Sequence, residues 1–149
     1  MSAGAKHHGV TAGAKHSGVS ADVPTDHLTV LGQPVRHPIA HVECFARPAG
    51  CTRVRFTTDE LTSMCPVTEQ PDLSTVVIDY EPAEWCVESK SLKLYLWSFR
   101  DRAVFAEALA AEIADEIFAT AQPQRVVVTL TQRARGGITI ETTAERSRG

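Results

Sequence analysis

A cysteine and an aspartate in the stretch TSMCPVTEQPD, residues 62–72, have the types and spacing of a nucleophile and a proton donor. Cys65 precedes one proline and Asp72 follows another, with mostly small or polar residues between them. Cysteine attacks an electrophile as a thiolate, which requires a polar and partly exposed environment. A nearby carboxylate raises the pKa of a thiol, so Asp72 fits better as a proton donor to a nitrogen formed after the attack. Spacing alone leaves open that Cys65 is a structural residue of a turn.

The cysteines and histidines give little support for a metal site. Cys44, Cys51, Cys65 and Cys86 form no CxxC pair, so we expect free thiols in a reducing compartment. The pattern His41-x-x-Cys44 provides half of a tetrahedral zinc site, and a small buried cysteine near a surface histidine is the simpler interpretation. All 6 histidines lie at or before residue 41, so none follows Cys65 in the chain. We therefore predict no metal.

Composition limits the classes of partner. The 149 residues, 43% of them hydrophobic, suffice for one domain with a core. The formal net charge of −3 shows no basic excess, so we expect a small-molecule partner rather than direct binding to nucleic acid. The sequence contains no run of about eighteen apolar residues, so no membrane span is predicted. The first residues also lack the apolar segment of a secretory signal. We expect a cytoplasmic protein.

An imperfect octamer occurs twice near the start of the chain, as AGAKHHGV at 3–10 and AGAKHSGV at 12–19. It contains almost no large apolar side chain, so it cannot offset the entropy lost on ordering. We predict a disordered tail over residues 1–26, with a metal-chelating or docking tract as the alternative, and a folded domain over residues 27–149.

The folded part predicts strands at both ends and helices in the middle. Alternating or β-branched residues predict strands within 41–50, at 51–58 and at 74–82, which makes 62–72 a connecting loop. Two further strands, QRVVVTLTQ and GITIETT, are expected to form a hairpin across Gly136 and Gly137. This order predicts an α+β fold with a mostly antiparallel sheet.

Two segments could be helical. Residues 103–119 form the clearest helix, with Asp101 as a plausible N-cap and a core-facing stripe of apolar residues at a spacing of four. The stripe comprises Phe105, Leu109, Ile113 and Ile117. The segment ESKSLKLYLW at 88–97 alternates like a strand, while its composition suits a helix, and periodicity over ten residues does not decide between them.

Two long motifs give a more specific hypothesis. FTTDELTSMCPVTEQPD and ESKSLKLYLWSFRD stand in the order and at the spacing typical of the nitrile reductases of the queuosine pathway. The sequence resembles the single-module form of this family over about residues 27–142. The resemblance implies the tunnelling fold, in which antiparallel strands flank two helices and subunits form a barrel. It further implies a homo-oligomer with sites between subunits, and a helical ESKSLKLYLW segment.

The resemblance also implies a reaction and its residues. Cys65 would attack the nitrile of 7-cyano-7-deazaguanine to form a covalent thioimide, and Asp72 would protonate the nitrogen. NADPH would then reduce the adduct to the aminomethyl product, without a metal. The remaining assignments are substrate binding by Glu107, Glu88 and Ser89, and cofactor binding by Lys90, Ser91 and Lys93.

Three positions depart from the family pattern. Ala106 replaces a histidine, Glu69 replaces a loop glycine, and Leu73 replaces a phenylalanine. One alternative is therefore that ammonia intercepts the thioimide to give an amidine, as in amidinotransferase relatives. The intact ESKSLKLYLW segment favours the reductase, because those relatives have generally lost it. A non-catalytic deazapurine-binding protein is a further alternative, although such a protein would not need Cys65.

Overall fold

The strands and helices follow the predicted order, in an α+β fold. A computed structural model describes residues 25–149, so the predicted octamer repeat and nearly all of the predicted tail lie outside the described residues. The elements are β1 (Cys44–Ala46), β2 (Val54–Met64), β3 (Pro71–Glu81), β4 (Trp85–Val87), α1 (Ser89–Trp97), α2 (Ala106–Ala121), β5 (Arg125–Arg135) and β6 (Ile138–Ser147). Among the described residues, no helix is long and apolar enough to cross a membrane.

The larger sheet of the domain has four antiparallel strands. Its strand order is β2-β3-β5-β6, and β1 pairs with β4 in a separate two-stranded sheet. Alternate residues of β3 and β5 are buried on one face, which is the side-chain period of two that a β-strand has. The β5–β6 hairpin turns at Gly136 and Gly137, both with positive φ (58° and 79°), which glycine adopts without a steric penalty.

Strands β2 and β3 are longer than predicted. The expected strands at 51–58 and 74–82 extend to Met64 and begin at Pro71, and a register shift between Thr58 and Leu61 accommodates the extension. Backbone pairing continues to Met64 opposite Pro71, so the loop shrinks to residues 65–70. Cys65 is therefore fixed directly at the end of a strand, while Asp72 belongs to β3 itself.

Helix α2 supplies much of the core, but its start differs from the prediction. Leu109, Ile113 and Ile117 are fully buried, as the predicted stripe requires. Phe105 does not belong to that stripe, because it is the N-cap residue and is 58% exposed. The predicted N-cap Asp101 is also wrong. The segment before the helix instead pairs with Met64 at the end of β2, which keeps the helix from beginning earlier.

The segment at 88–97, for which periodicity did not decide between helix and strand, contains helix α1. The residues form a helix, as the resemblance implies, rather than the strand that their alternation favours. The carboxylate of Glu88 caps the helix by accepting hydrogen bonds from the backbone N–H groups of Lys90 and Ser91, both at 2.7 Å. Leu92, Leu94 and Tyr95 are buried and anchor the helix to the core.

Candidate active site

The loop at 65–70 is a closed turn that presents the thiol of Cys65. The backbone N–H of Cys65 donates to the carbonyl of Gln70 at 2.9 Å, and the N–H of Glu69 donates to the carbonyl of Cys65 at 3.0 Å. Glu69 has φ of +57°, a left-handed conformation in which a side chain is strained. The turn thus keeps the backbone shape of a glycine position although the residue is glutamate.

The thiol of Cys65 is set for ionisation near neutral pH. Its pKa is lowered to about 7, first by the hydroxyl of Thr68 and then by the backbone N–H groups of Thr68 and Val67, while partial burial acts in the opposite direction. Arg135 contributes a further hydrogen bond that favours the thiolate. About half of the thiol is therefore ionised at pH 7, as a nucleophilic cysteine requires.

Arg135, at the end of β5, joins the two predicted catalytic residues. Its guanidinium forms an ion pair with Oδ1 of Asp72, and it donates to Oγ1 of Thr68 at 2.7 Å and to Oε1 of Gln70 at 2.8 Å. The structure thus brings Cys65 and Asp72 together through a residue that the sequence interpretation missed. The one available signal was its position directly before the Gly136–Gly137 hairpin.

Asp72 is held in a defined orientation. Its side chain is only 5% exposed and lies on the helix-facing side of β3, opposite Ser63 of β2. Oδ1 is occupied by Arg135, and among residues 25–149 no donor binds Oδ2. A charge-assisted ion pair of this kind fixes one oxygen and leaves the other free to exchange a proton with a bound molecule.

The start of α2 lies beside the same end of β2. The N–H of Met64 donates to the carbonyl of Arg102 at 2.8 Å, and the N–H of Val104 donates to the carbonyl of Met64 at 3.2 Å. This pairing places the first turn of α2, with Glu107, next to the strand end that carries Cys65. Glu107 is exposed, so its carboxylate is free to bind a ligand or a neighbouring molecule.

The predicted binding residues of α1 fall into two groups, of which the first is engaged in hydrogen bonds within the fold. Glu88 caps the helix, and the hydroxyl of Ser91 donates to the carbonyl of Glu88 and accepts from the N–H of Glu43, both at 2.8 Å. The ammonium of Lys90 donates to the backbone carbonyls of Val30, at 2.9 Å, and Gln33. These contacts hold the segment before β1 against α1. The binding roles of Glu88, Ser91 and Lys90 stay predictions.

The second group, Ser89 and Lys93, is exposed and lines a groove between α1 and β2. The groove has a volume of about 480 Å³, with Phe56, Leu92 and Trp97 on its apolar walls. A neighbouring cavity of about 490 Å³ shares Trp97 and reaches the base of the Cys65 loop. An ammonium, an indole ring and a hydroxyl are groups that bind a phosphate-bearing aromatic cofactor. The predicted roles of Ser89 in substrate binding and of Lys93 in cofactor binding stay predictions.

Two other cysteines, Cys44 and Cys86, have raised pKa values, in contrast to Cys65. Burial raises the pKa of Cys44 to about 12 and that of Cys86 to about 11. Within residues 25–149, no group of three or more histidine, cysteine, aspartate or glutamate residues could hold a metal ion, and the pair His41 and Cys44 belongs to no such cluster. Cys65 is thus the cysteine whose pKa is lowered, and its role as the nucleophile stays a prediction.

Comparison with solved structures supports the fold. The apo archaeosine synthase QueF-Like superposes with a TM-score of 0.61 at 28% sequence identity, and the match covers 66% of this chain and 95% of that one. Together with two helices packed on an antiparallel sheet, this similarity confirms the predicted tunnelling fold.

Sequence comparison defines the family. The family described as QueF-like protein matches residues 71–149. Three relatives named NADPH-dependent 7-cyano-7-deazaguanine reductase cover much of the chain. They come from Alkalilimnicola ehrlichii (49% identity, 58% of this chain and 67% of the relative), Granulibacter bethesdensis (40%, 76% and 78%) and Frankia casuarinae (41%, 76% and 90%). The chain belongs to the QueF-like family.

Proposed function

We propose that this protein uses NADPH to reduce the nitrile of 7-cyano-7-deazaguanine to an aminomethyl group, as an oxidoreductase of the queuosine pathway. Relatives at 40–49% identity carry the name of this reductase. The observation that supports the proposal most directly is the thiol of Cys65, with a pKa of about 7, next to the buried carboxylate of Asp72. Together they provide a nucleophile and a proton donor without a metal.

The first step we propose is addition of Cys65 to the nitrile. The thiolate lone pair forms a bond from Sγ to the nitrile carbon, while one π bond of the nitrile opens toward nitrogen. Asp72, which has to be protonated when the substrate binds, donates its proton to that nitrogen and is left as the carboxylate, which gives a neutral thioimide. Arg135 keeps the two groups in position by binding Oδ1 of Asp72 and the side chains of the Cys65 loop.

Two reduction steps then convert the thioimide to the amine. Two molecules of NADPH, bound one after the other, would each supply one hydride, and each turnover would also consume two protons. Expulsion of the thiolate between the reductions leaves an imine. A thiol with a low pKa is a good leaving group as well as a nucleophile, so the environment of Cys65 favours both of its roles. Lys93, Trp97 and Ser89 would hold the cofactor in the groove.

Substrate binding is proposed to involve Glu107 and a second subunit. A carboxylate accepts hydrogen bonds from the adjacent N–H groups of a guanine-like ring in a strong pairing. Val67, Phe105 and Ile138 are apolar and exposed. Within residues 25–149, the outer edges of the long strands β2 and β6 pair with no other strand. These features support a homo-oligomer with sites between subunits, because exposed strand edges and apolar patches pair with other chains. Four free thiols favour a cytoplasmic location.

A second candidate is conversion of the same thioimide with ammonia to an amidine. The similarity to an archaeosine synthase favours considering it. Retention of the α1 segment with Ser89 and Lys93 in an open groove supports the reductase instead. A non-catalytic binder is less compatible with a thiol whose pKa is lowered to about 7.

Intact-mass measurement and cofactor oxidation separate these candidates. Mixed with 7-cyano-7-deazaguanine, the protein should gain the mass of the ligand, and Cys65→Ala should not. Addition of NADPH should discharge the adduct with two equivalents oxidised per nitrile. An adduct that is consumed by ammonia but not by NADPH would exclude the reductase in favour of the amidinotransferase. No adduct at all would leave only the binding protein.

A further inference from the structure

The helix-facing side of the sheet changes from apolar to polar at the end that holds Cys65. Along most of this face the buried residues are aliphatic or aromatic, such as Val76, Ile78 and Leu130. At the site end the buried residues are instead polar: Ser63, Asp72, Ser74 and Gln132. We name these four residues the buried polar patch. A core of this size gains stability from apolar residues, so four polar side chains together require an explanation.

The patch is continuous across three strands. Ser63 of β2 lies directly opposite Asp72 of β3, and Ser74 of β3 lies opposite Gln132 of β5. Directly opposite residues have Cβ atoms about 5 Å apart and diagonal neighbours about 7 Å, distances that one water molecule can bridge. The line ends at Gln132, whose neighbour on the edge strand β6 is exposed Ile140. The patch thus connects Asp72 with the solvent-facing edge of the sheet.

Two hydroxyl groups of the patch have no partner within the described part of the chain. Ser63 and Ser74 are each 1% exposed, and the Oγ atom of neither makes a hydrogen bond. A buried hydroxyl without a partner destabilises the fold, a cost that alanine at the same position would avoid. Ser91 shows the usual arrangement, because its buried hydroxyl has both a donor and an acceptor. The hydroxyls of Ser63 and Ser74 can therefore each still donate and accept a hydrogen bond that no residue of 25–149 provides.

The proposed reaction needs a route by which protons reach Asp72. Each turnover consumes two protons, and Asp72 carries only one, so Asp72 must be reprotonated within the cycle. Arg135 occupies Oδ1, which leaves Oδ2 for proton exchange. We propose that Ser63, Ser74 and Gln132 hold a buried chain of water molecules that returns a proton to Asp72 between the two reduction steps. This inference rests on the proposed function and makes the two serines positioning residues.

The test separates a proton path from a structural role by comparing Ser63→Ala, Ser74→Ala and the double variant. Adduct formation without NADPH needs one proton, so its rate should stay within about twofold of the wild type. Steady-state NADPH oxidation needs reprotonation, so kcat should fall about tenfold, which is less than the roughly 10²–10⁴-fold contributed by a general acid or base itself. The solvent deuterium isotope effect on kcat should rise at the same time. Tm should be unchanged or higher.

Ser98→Ala is the matched control. The half-buried hydroxyl of Ser98 donates to the carbonyl of Tyr95 at 2.6 Å, away from the patch. This variant should lose some stability and keep kcat and the isotope effect unchanged. The patch variants should instead keep their stability, lose kcat and show a larger isotope effect.

Three results would overturn the inference. The first is an unchanged kcat in the double variant, and the second is a parallel loss of Tm, adduct formation and kcat. The third is independent of catalysis: a crystal structure at about 1.5 Å resolution should show water bound to both hydroxyls, and a dry patch excludes the path. Failure of the proposed function is distinguishable, because the wild type itself would then form no adduct or oxidise no NADPH.

Discussion

The hydroxyl of Thr68 is the first cause of the low pKa of Cys65, and Thr68→Val removes it with little change in shape. The same hydroxyl accepts a hydrogen bond from Arg135, so the substitution also loosens the link between the guanidinium and the loop. The backbone N–H groups of Thr68 and Val67 remain in place. We therefore expect the pKa of Cys65 to move from about 7 part of the way back toward its ordinary value of 9.0.

The size of the effect follows from two opposing factors. With a pKa of about 7 roughly half of the thiol is ionised at pH 7, whereas with a pKa of 9 only about 1% is. Nucleophilicity of a thiolate rises with its pKa, by about eightfold over two pKa units for a Brønsted slope of about 0.45. A complete return to the ordinary pKa would thus slow the reaction at pH 7 by about sixfold. Above about pH 10, Cys65 is ionised in both the wild type and the variant, and the variant should then react faster.

The assay is the rate of carbamidomethylation by iodoacetamide between pH 5.5 and 10.5, with peptide mapping to follow Cys65. Cys44 and Cys86 should react later, because burial raises their pKa values to about 12 and about 11. Thr75→Val, on the opposite face of β3, serves as the control and should leave the profile unchanged. If Thr68→Val shows the wild-type midpoint and no crossing of the two rate profiles, the hydroxyl does not stabilise the thiolate.

Three further predictions concern stability. Glu69→Gly should raise Tm by a few degrees, because it relieves about 1 kcal/mol of strain at a φ of +57°; Glu141→Gly in β6 should lower Tm, and a lower Tm for Glu69→Gly would contradict the strain. Asp79 is paired with Arg53 and Arg55, which lower its pKa, so its contribution is present above the unfolded pKa near 4 and is lost as pH falls toward the folded value. Asp79→Asn should therefore reduce urea stability by about 1 kcal/mol at pH 7 and by less at pH 2, and equal losses at both would refute this cause. Ser91→Ala should destabilise by about 1–3 kcal/mol in urea unfolding, since it strands the N–H of Glu43, whereas a neutral effect would mean that water replaces the hydroxyl.

Local pattern predicted the parts of the fold that local interactions form. The alternating residues of β3 and the Gly136–Gly137 turn give the β3–β5–β6 sheet, because side-chain period and turn chemistry act over a few residues. The start of α2 was not predictable in this way, since the pairing of Met64 with Ala103 crosses 39 positions of the sequence. The cap of α1 was also hidden, because glutamate is an uncommon N-cap residue.

The same distinction applies to the site. Cys65 and Asp72 were identified from one continuous motif, and the structure places them at facing strand ends. Arg135 lies 63 positions from Asp72 in the sequence, and its partners are defined only when β5 extends beyond its last pair with β3. A residue that acts through a long-range ion pair leaves no periodic signal. Lys90 and Ser91 show the converse, because a motif can name residues whose polar groups are used inside the fold.

Glu69 and Ala106, two of the three departures from the family pattern, have different consequences in this structure. Glu69 keeps the left-handed backbone conformation of the loop, so the change from glycine affects stability more than the position of Cys65. Ala106 is buried in the core as the first residue of α2 and offers no group that could carry a proton. Where the resemblance implies a histidine, this chain has alanine, so in the proposed reaction Asp72 would be the proton donor beside Cys65. A site that depends on one carboxylate for two protons per turnover needs a route for reprotonation, and the buried hydroxyls of Ser63 and Ser74 lie where that route would have to begin.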